Sequence, residues 1–310
     1  MRLDPEDFSS VATAAEVTGR FGLNNQYWFD FKSMPPAVWR RLNRFFAWTN
    51  ASEAANAEDL FLETTISYGK GFSPQDSSDG FFFELTNQMN SFEFGVGSLH
   101  RAVFNMAERR FDITLSPDIE GNEETILSGK ALKAAFRIAC VTQALLEDKA
   151  LYVHGALGIH GSSGILFPAS SGTGKTTLSN GFNRVFAQAD DVALINFSRD
   201  SHLSVSPCAT RKMFWPNVTR PHPARLRAIA FLEQSKSGTS VVPIDMKEAF
   251  ERLVRQVVEY SKEPMVIQKA LELSLTACKS LPCFVVRRDL KDLSSDDVFN
   301  DILSRVESTC

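Results

Sequence analysis

The stretch Ile165-Leu166-Phe167-Pro168-Ala169-Ser170-Ser171-Gly172-Thr173-Gly174-Lys175-Thr176-Thr177-Leu178 decides how the chain is read. An apolar run with the texture of a buried strand enters a Ser- and Gly-rich turn, and the turn opens into a helix near Lys175. The pattern G-x-x-x-x-G-K-[ST] is met except at its first position, where Ala169 stands for glycine. Gly172 and Gly174 let the backbone curl so that successive N–H groups point inward, the arrangement that cradles phosphate oxygens. A helix starting at Lys175 adds the partial positive charge of its N-terminus. Ser170, Ser171, Gly172, Thr173, Gly174, Lys175, Thr176 and Thr177 are therefore the candidate nucleotide-binding residues. Lys175 has the length to reach β- and γ-phosphates, and the Thr176 hydroxyl suits the shell of a Mg²⁺ ion. ATP and Mg²⁺ are the cofactors this motif calls for.

Working outward, the flanks carry the texture of an α/β core. A helix is expected from Ser128-Gly129-Lys130 through Leu146, with Leu132, Ala135, Phe136, Ala139, Val141, Leu145 and Leu146 forming an apolar stripe. Short apolar runs follow at 151–153, 164–167, 192–195, 226–232, 241–244 and 283–286. Helical patterns at 248–260, 265–277 and 296–306 separate them. The expectation is an α/β phosphate-loop core with a mixed sheet over residues 126–310.

Residues 1–125 read as a smaller, Phe-rich α+β region. A short strand is expected at 27–31, a helix at 37–48 after Pro35-Pro36, and an exposed loop at 69–80. Strand-like runs at 81–85, 91–96 and from 104 or 111 to 115 predict an antiparallel sheet. The chain holds 25 Phe, a supply that suits either core packing or an interface in a homo-oligomer.

Composition narrows the function classes. The 310 residues are 44% hydrophobic and 23% charged, ordinary for a globular chain. A net charge of -4 argues against nucleic-acid binding through overall charge. No apolar run approaches the ~20 residues of a membrane helix, and the acidic start lacks the apolar stretch of a secretory signal. The five scattered cysteines form no Cys-x-x-Cys pair, which points to a reduced, cytoplasmic protein without a zinc site.

Downstream of the turn, Asp190-Asp191 sits between the apolar segments 185–187 and 192–195. Neighbouring side chains on an extended backbone point to opposite faces, so one acid can hold a metal while the other acts on an acceptor hydroxyl as general base. Neither the Leu-Ser-Gly-Gly-Gln signature of transporters nor the Asn-Lys-x-Asp guanine motif occurs.

The run Ser171-Gly172-Thr173-Gly174-Lys175-Thr176-Thr177-Leu178-Ser179, with Arg184 and Asp190-Asp191 after it, resembles the nucleotide site of the phosphoenolpyruvate carboxykinase and HPr serine kinase superfamily. His154-Gly155, ahead of the turn, is similar to the catalytic His-Gly of HPr kinases. The stretches 211–217 and 223–233 resemble those of HPr-kinase-related proteins from peptide-maturation clusters. The likeness covers roughly residues 128 to 290. It implies an ATP- and Mg²⁺-dependent kinase whose acceptor is a hydroxyl, on a Ser or Thr of a peptide or protein or on a small molecule. It further implies Asp191 as the base, Asp190 and Thr176 as metal ligands, and Lys175 as the cation that neutralises the transferring group. His154 would orient Asp191 or the acceptor, or move a proton. Of the arginines Arg211, Arg220, Arg225 and Arg227, Arg211 is the first choice for contact with the γ-phosphate or an anionic acceptor. Two features depart from the pattern: the Glu-Val-Arg-Gly-type signature of HPr kinases is replaced by the segment 204–215, and the dicarboxylate arginines of carboxykinases have no counterpart. The rival function is a non-catalytic ATP-binding regulatory module, which has no need of the acid pair.

Overall fold

The structure is a computed structural model. It describes residues 19–23, 27–36, 38, 48–50, 60–68, 81–85, 91–96, 100–105, 108–115, 130–182, 186–189, 192–197, 202–207, 223–258, 264–289 and 294–309. It is a mixed α/β protein whose chain divides into two compact units. The first holds residues 1–140 with 209–216, the second 141–208 with 217–310. The boundary expected near residue 125 and the loop expected at 69–80 lie outside the described residues.

The first unit is built on an eight-stranded sheet: β1 (Gly19–Leu23), β2 (Tyr27–Ser33), β3 (Trp48–Asn50), β4 (Leu60–Tyr68), β5 (Phe81–Leu85), β6 (Ser91–Val96), β7 (His100–Asn105) and β8 (Arg110–Leu115). Their order is β3-β1-β2-β4-β8-β7-β6-β5. The meander from β5 to β8 is antiparallel as expected, but β2–β4 and β4–β8 are parallel, so the sheet is mixed. Trp48 opens a strand where the end of a helix was expected. Of that helix, residues 37 and 39–47 lie outside the described residues.

Period-two alternation turns one face of this sheet into a core. Phe29, Phe31, Leu62, Thr64, Ile66, Ala102, Phe104, Phe111, Ile113 and Leu115 are all buried. The helix α1 (Lys130–Leu146) contributes Phe136, which meets Phe29 edge-on at 5.0 Å and Phe111 at 5.5 Å. Asp30, Lys32, Glu63, Arg110 and Asp112 alternate with the core residues, joined by the pairs Lys32–Asp30 and Arg110–Asp112. Such solvated pairs contribute little to stability. Phe29, Phe31, Phe104, Phe111 and Phe136 are thus core residues of this unit.

The second unit comprises β9 (Ala150–His160), β10 (Ser163–Pro168), β11 (Phe186–Ala189), β12 (Val192–Asn196), β13 (Ser204–Pro207), β14 (Ala224–Gln234), β15 (Ser240–Pro243) and β16 (Cys283–Arg288). Its helices are α2 (Lys175–Asn180), α3 (Met246–Val254), α4 (Pro264–Ser280) and α5 (Ser295–Thr309). Gly161, at φ 59°, and Ser162 make a two-residue hairpin between β9 and β10. The pairings β10–β9, β9–β12, β12–β13, β13–β14 and β14–β10 close a ring, and β16 and β15 extend it from β14.

Alternation sorts the apolar residues of these strands onto two faces. Leu151, Val153, Leu157, Ile159, Leu166, Ile195, Val205 and Ile229 line the inside of the ring. Gly164 belongs there too: a Cβ on it would lie 2.5 Å from Val205 Cγ1, so only glycine fits between the crossing strands. On the outer face Ala156, Ile165, Phe167, Ala228, Ala230 and Leu232 form a second core with Leu178 of α2 and Val298, Phe299, Ile302 and Val306 of α5. The helix expected at 248–260 ends at Val254, because Val257 leaves it to bridge Val153 of β9. Among the described residues no helix is long and apolar enough to cross a membrane.

Candidate functional site

The candidate site grows from the end of β10. Phe167 and Ala169 are buried in the outer core, and the chain then leaves the sheet as a turn over residues 170–174. Gly172 (φ 82°) and Gly174 (φ 100°) hold left-handed conformations that side chains rarely adopt. A Cβ on Gly172 would touch nothing within 4 Å, so the demand there is for backbone freedom and not for space. α2 begins at Lys175 with Gly174 as its N-cap and no side-chain cap bond.

Lys175 is only 7% exposed. A buried ammonium needs partners, and its Nζ donates to the carbonyls of Ala169 (2.9 Å) and Ser170 (2.7 Å). The cation is thereby drawn back over the start of the turn. The Thr173 hydroxyl donates to the Ser170 carbonyl at 2.7 Å. Ser170, Ser171, Thr176 and Thr177 are exposed around this centre.

His154-Gly155 lies beside the turn on β9. Gly155 pairs with Pro168, and a Cβ on Gly155 would sit 2.8 Å from the Phe167 carbonyl oxygen. The glycine is what lets β9 pass so close to the end of β10. His154 is half-buried on the face that carries Ala156, and its carbonyl accepts from the Ala169 N–H at 3.2 Å. Its N–H donates to the Gln256 carbonyl at 2.7 Å.

Ala189 of β11 pairs with Leu157 and Val192 of β12 pairs with His154, in the same antiparallel register along β9. Gly155 and Ala156 are the β9 residues between those pairs. Asp190 and Asp191 themselves lie outside the described residues, as do Arg211 and Arg220. The structure therefore brings together His154, the residues 170–177 and the facing ends of β11 and β12. It does not bring Arg225 or Arg227 to them. Arg225 pairs with Ser163 at the start of β10, the end opposite the turn, and Arg227 lies in the irregularity just beyond.

Two glutamines hold the turn from outside. Gln234, the last residue of β14, donates through Nε2 to the Gly172 carbonyl at 2.8 Å. Gln256, just past α3, donates through Nε2 to Ser170 Oγ at 3.3 Å. Next to Gln234, Glu233 accepts from Arg252 (2.7 Å) and Arg287 (3.2 Å), and Arg252 also pairs with Glu248 at 2.8 Å. Burial works to raise the pKa of Glu233, but hydrogen bonds and charge from Arg252 and Arg287 outweigh it and hold the carboxyl below its ordinary range. Burial likewise opposes the charge on Arg252, and its two glutamates more than offset that, so its pKa is raised. No sequence signal marks Gln234 or Gln256, since only the closure of the fold brings them to the turn.

The turn fits a phosphate group on three counts: left-handed glycines, a lysine held at its mouth, and exposed hydroxyls after it. Thr176, exposed and next to Lys175, is a hydroxyl of the kind a hard divalent cation takes. Among the described residues no three His, Cys, Asp or Glu side chains gather as a metal-ligand group. No family model matches the chain, and no curated protein matches it.

Proposed function

We propose that the chain is an ATP- and Mg²⁺-dependent kinase, related to the HPr kinases, that moves the γ-phosphoryl group to a hydroxyl acceptor. The observation that carries the reading is Lys175, buried with its ammonium on the carbonyls of Ala169 and Ser170, at a turn that begins where β10 meets His154-Gly155. In this reading the turn is a phosphate loop and the second unit a phosphate-loop core. The 170–174 backbone and Lys175 bind and orient the triphosphate, which supplies most of the acceleration in such transfers. Thr176 and Asp190 would hold a Mg²⁺ ion, which when bound would supply neutralisation of the phosphate charge. Asp191 accepts the proton of the acceptor hydroxyl as its oxygen bonds to the γ-phosphorus and the bond to the bridging β–γ oxygen breaks. His154, on the neighbouring strand, orients Asp191 or the acceptor. The acceptor is a Ser or Thr of a peptide or protein, or a small molecule, and the protein is read as cytoplasmic.

The test uses purified protein, Mg²⁺ and γ-labelled ATP with an extract of candidate acceptors, beside Asp191→Asn. Label that reaches an acceptor only when Asp191 is intact supports the kinase. ATP binding without transfer, equal in both proteins, would replace it with a non-catalytic regulatory module.

A further inference from the structure

We propose that Gln234 and Gln256 are positioning residues that keep the 170–174 turn in its phosphate-accepting shape, with the Glu233–Arg252 ion pair locking the two together. The inference rests on the reading of that turn as a phosphate site.

The frame is closed. Gln234 holds the Gly172 carbonyl from the end of β14, and Gln256 holds Ser170 Oγ from beyond α3. Glu233, beside Gln234 in the chain, is bound at 2.7 Å to Arg252 in the last turn of α3. Gln256 is fastened to that helix by its N–H, which donates to the Leu253 carbonyl at 2.8 Å. One can therefore trace turn, Gln234, Glu233, Arg252, α3, Gln256 and back to the turn without leaving bonded contacts. Gln256 also carries, on its carbonyl, the N–H of His154. A single residue thus ties the His154 strand segment to the turn.

The consequence for binding lies in one peptide plane. All described peptide bonds are trans, so the C=O of Gly172 and the N–H of Thr173 point in opposite directions. Holding that carbonyl with Gln234 aims the N–H back across the turn. There it meets the Ser170 carbonyl at 3.5 Å, beyond the usual range for a firm N–H···O bond. That N–H is only weakly engaged there, so the orientation of the peptide rests on the Gln234 hydrogen bond at its other end. Freeing Gln234 lets this peptide rotate and changes the shape of the 170–174 turn.

The experiment measures binding of tripolyphosphate and of Mg·ATP, both in the absence of turnover, with thermal unfolding as a check on the fold. Gln234→Glu keeps the side-chain length, removes the donor and adds a charge. It is expected to weaken both ligands by about tenfold or more, and Gln234→Ala by about three- to tenfold. Gln234→Lys, which restores a donor, should recover most of the loss. Arg252→Gln and Gln256→Glu, of which only Gln256 touches the turn, should weaken binding in the same direction by about threefold. Because Gln234 is exposed, a merely structural role would move the unfolding temperature and not the tripolyphosphate affinity, and the lysine variant would give no rescue. Parent-like tripolyphosphate affinity in both Gln234→Glu and Gln234→Ala would overturn the inference. If Lys175→Ala still loses the ligand in that case, the phosphate site stands and only the frame falls. A parent protein that binds neither ligand would overturn both.

Discussion

The two units bury their sheets with different emphases. In the first, large rings do the work: Phe29, Phe31, Phe104 and Phe111 cover one face and Phe136 of α1 stands among them. In the second, glycine and alanine recur on the strands beside larger residues such as Phe167 and Phe299, at Gly155, Ala156, Gly164, Ala193, Ala228 and Ala230. Aromatic packing gives a broad apolar payload but keeps backbones apart. Small residues let backbones meet, as Gly155 does with Phe167, and the turn with Lys175 emerges at one such meeting point.

The largest effect should come from the aromatic unit. Phe136→Ala removes a ring packed on Phe29, Phe31 and Phe111 and should cost about 3–5 kcal/mol in denaturant unfolding. ATP affinity of the protein that remains folded should not change. If it does, the division of labour between the units is wrong.

Gly155→Ala should cost less stability and more function. The added Cβ meets backbone at 2.8 Å, which cannot move aside as a side chain would. About 1–3 kcal/mol is expected from such overpacking. Because the displaced atoms belong to Phe167 and Pro168, which lead into the turn, ATP affinity should fall as well. Unfolding and titration of the same preparation would show whether the two losses travel together.

The smallest effect sharpens the frame behind the turn. Glu233 has a depressed pKa in the folded state, so its stabilisation is present above the ordinary carboxylate range and is lost as pH falls through the folded value. Glu233→Gln should therefore cost about 1 kcal/mol or less at neutral pH, as partly exposed ion pairs do, and nothing once the parent carboxyl is protonated. A gap between parent and variant that persists into acid would assign the effect to packing.

The same contrast governs what the sequence made legible. Strands of the second unit such as β10, β12 and β16 are continuous apolar runs and stand out. The turn and its helix were readable because glycines and lysine at that spacing have few other uses. β4 was not, since its buried face reads Leu62, Thr64, Ile66, and the hydroxyl of Thr64 satisfies itself on the Leu62 carbonyl at 3.1 Å. A polar letter on the inward face hides the alternation. β13 is four residues long and half serine, with Ser206 buried and accepting from Asn196 Nδ2 at 3.1 Å. The helix expected over 248–260 stops early because Val257 bridges Val153 of β9 and does not continue the helix. Gln234 and Gln256 meet the turn across long separations in the chain, and no local pattern encodes such a meeting.

The proposed function requires that Lys175 and the glycine turn receive phosphate. Calorimetric titration of Mg·ATP into the parent protein and into Lys175→Ala tests this most directly. Saturable binding by the parent, with a loss of about a hundredfold in the variant as expected for a charged partner removed from a buried site, is the predicted result. Equal affinity in the two proteins, or no binding by the parent, would contradict it.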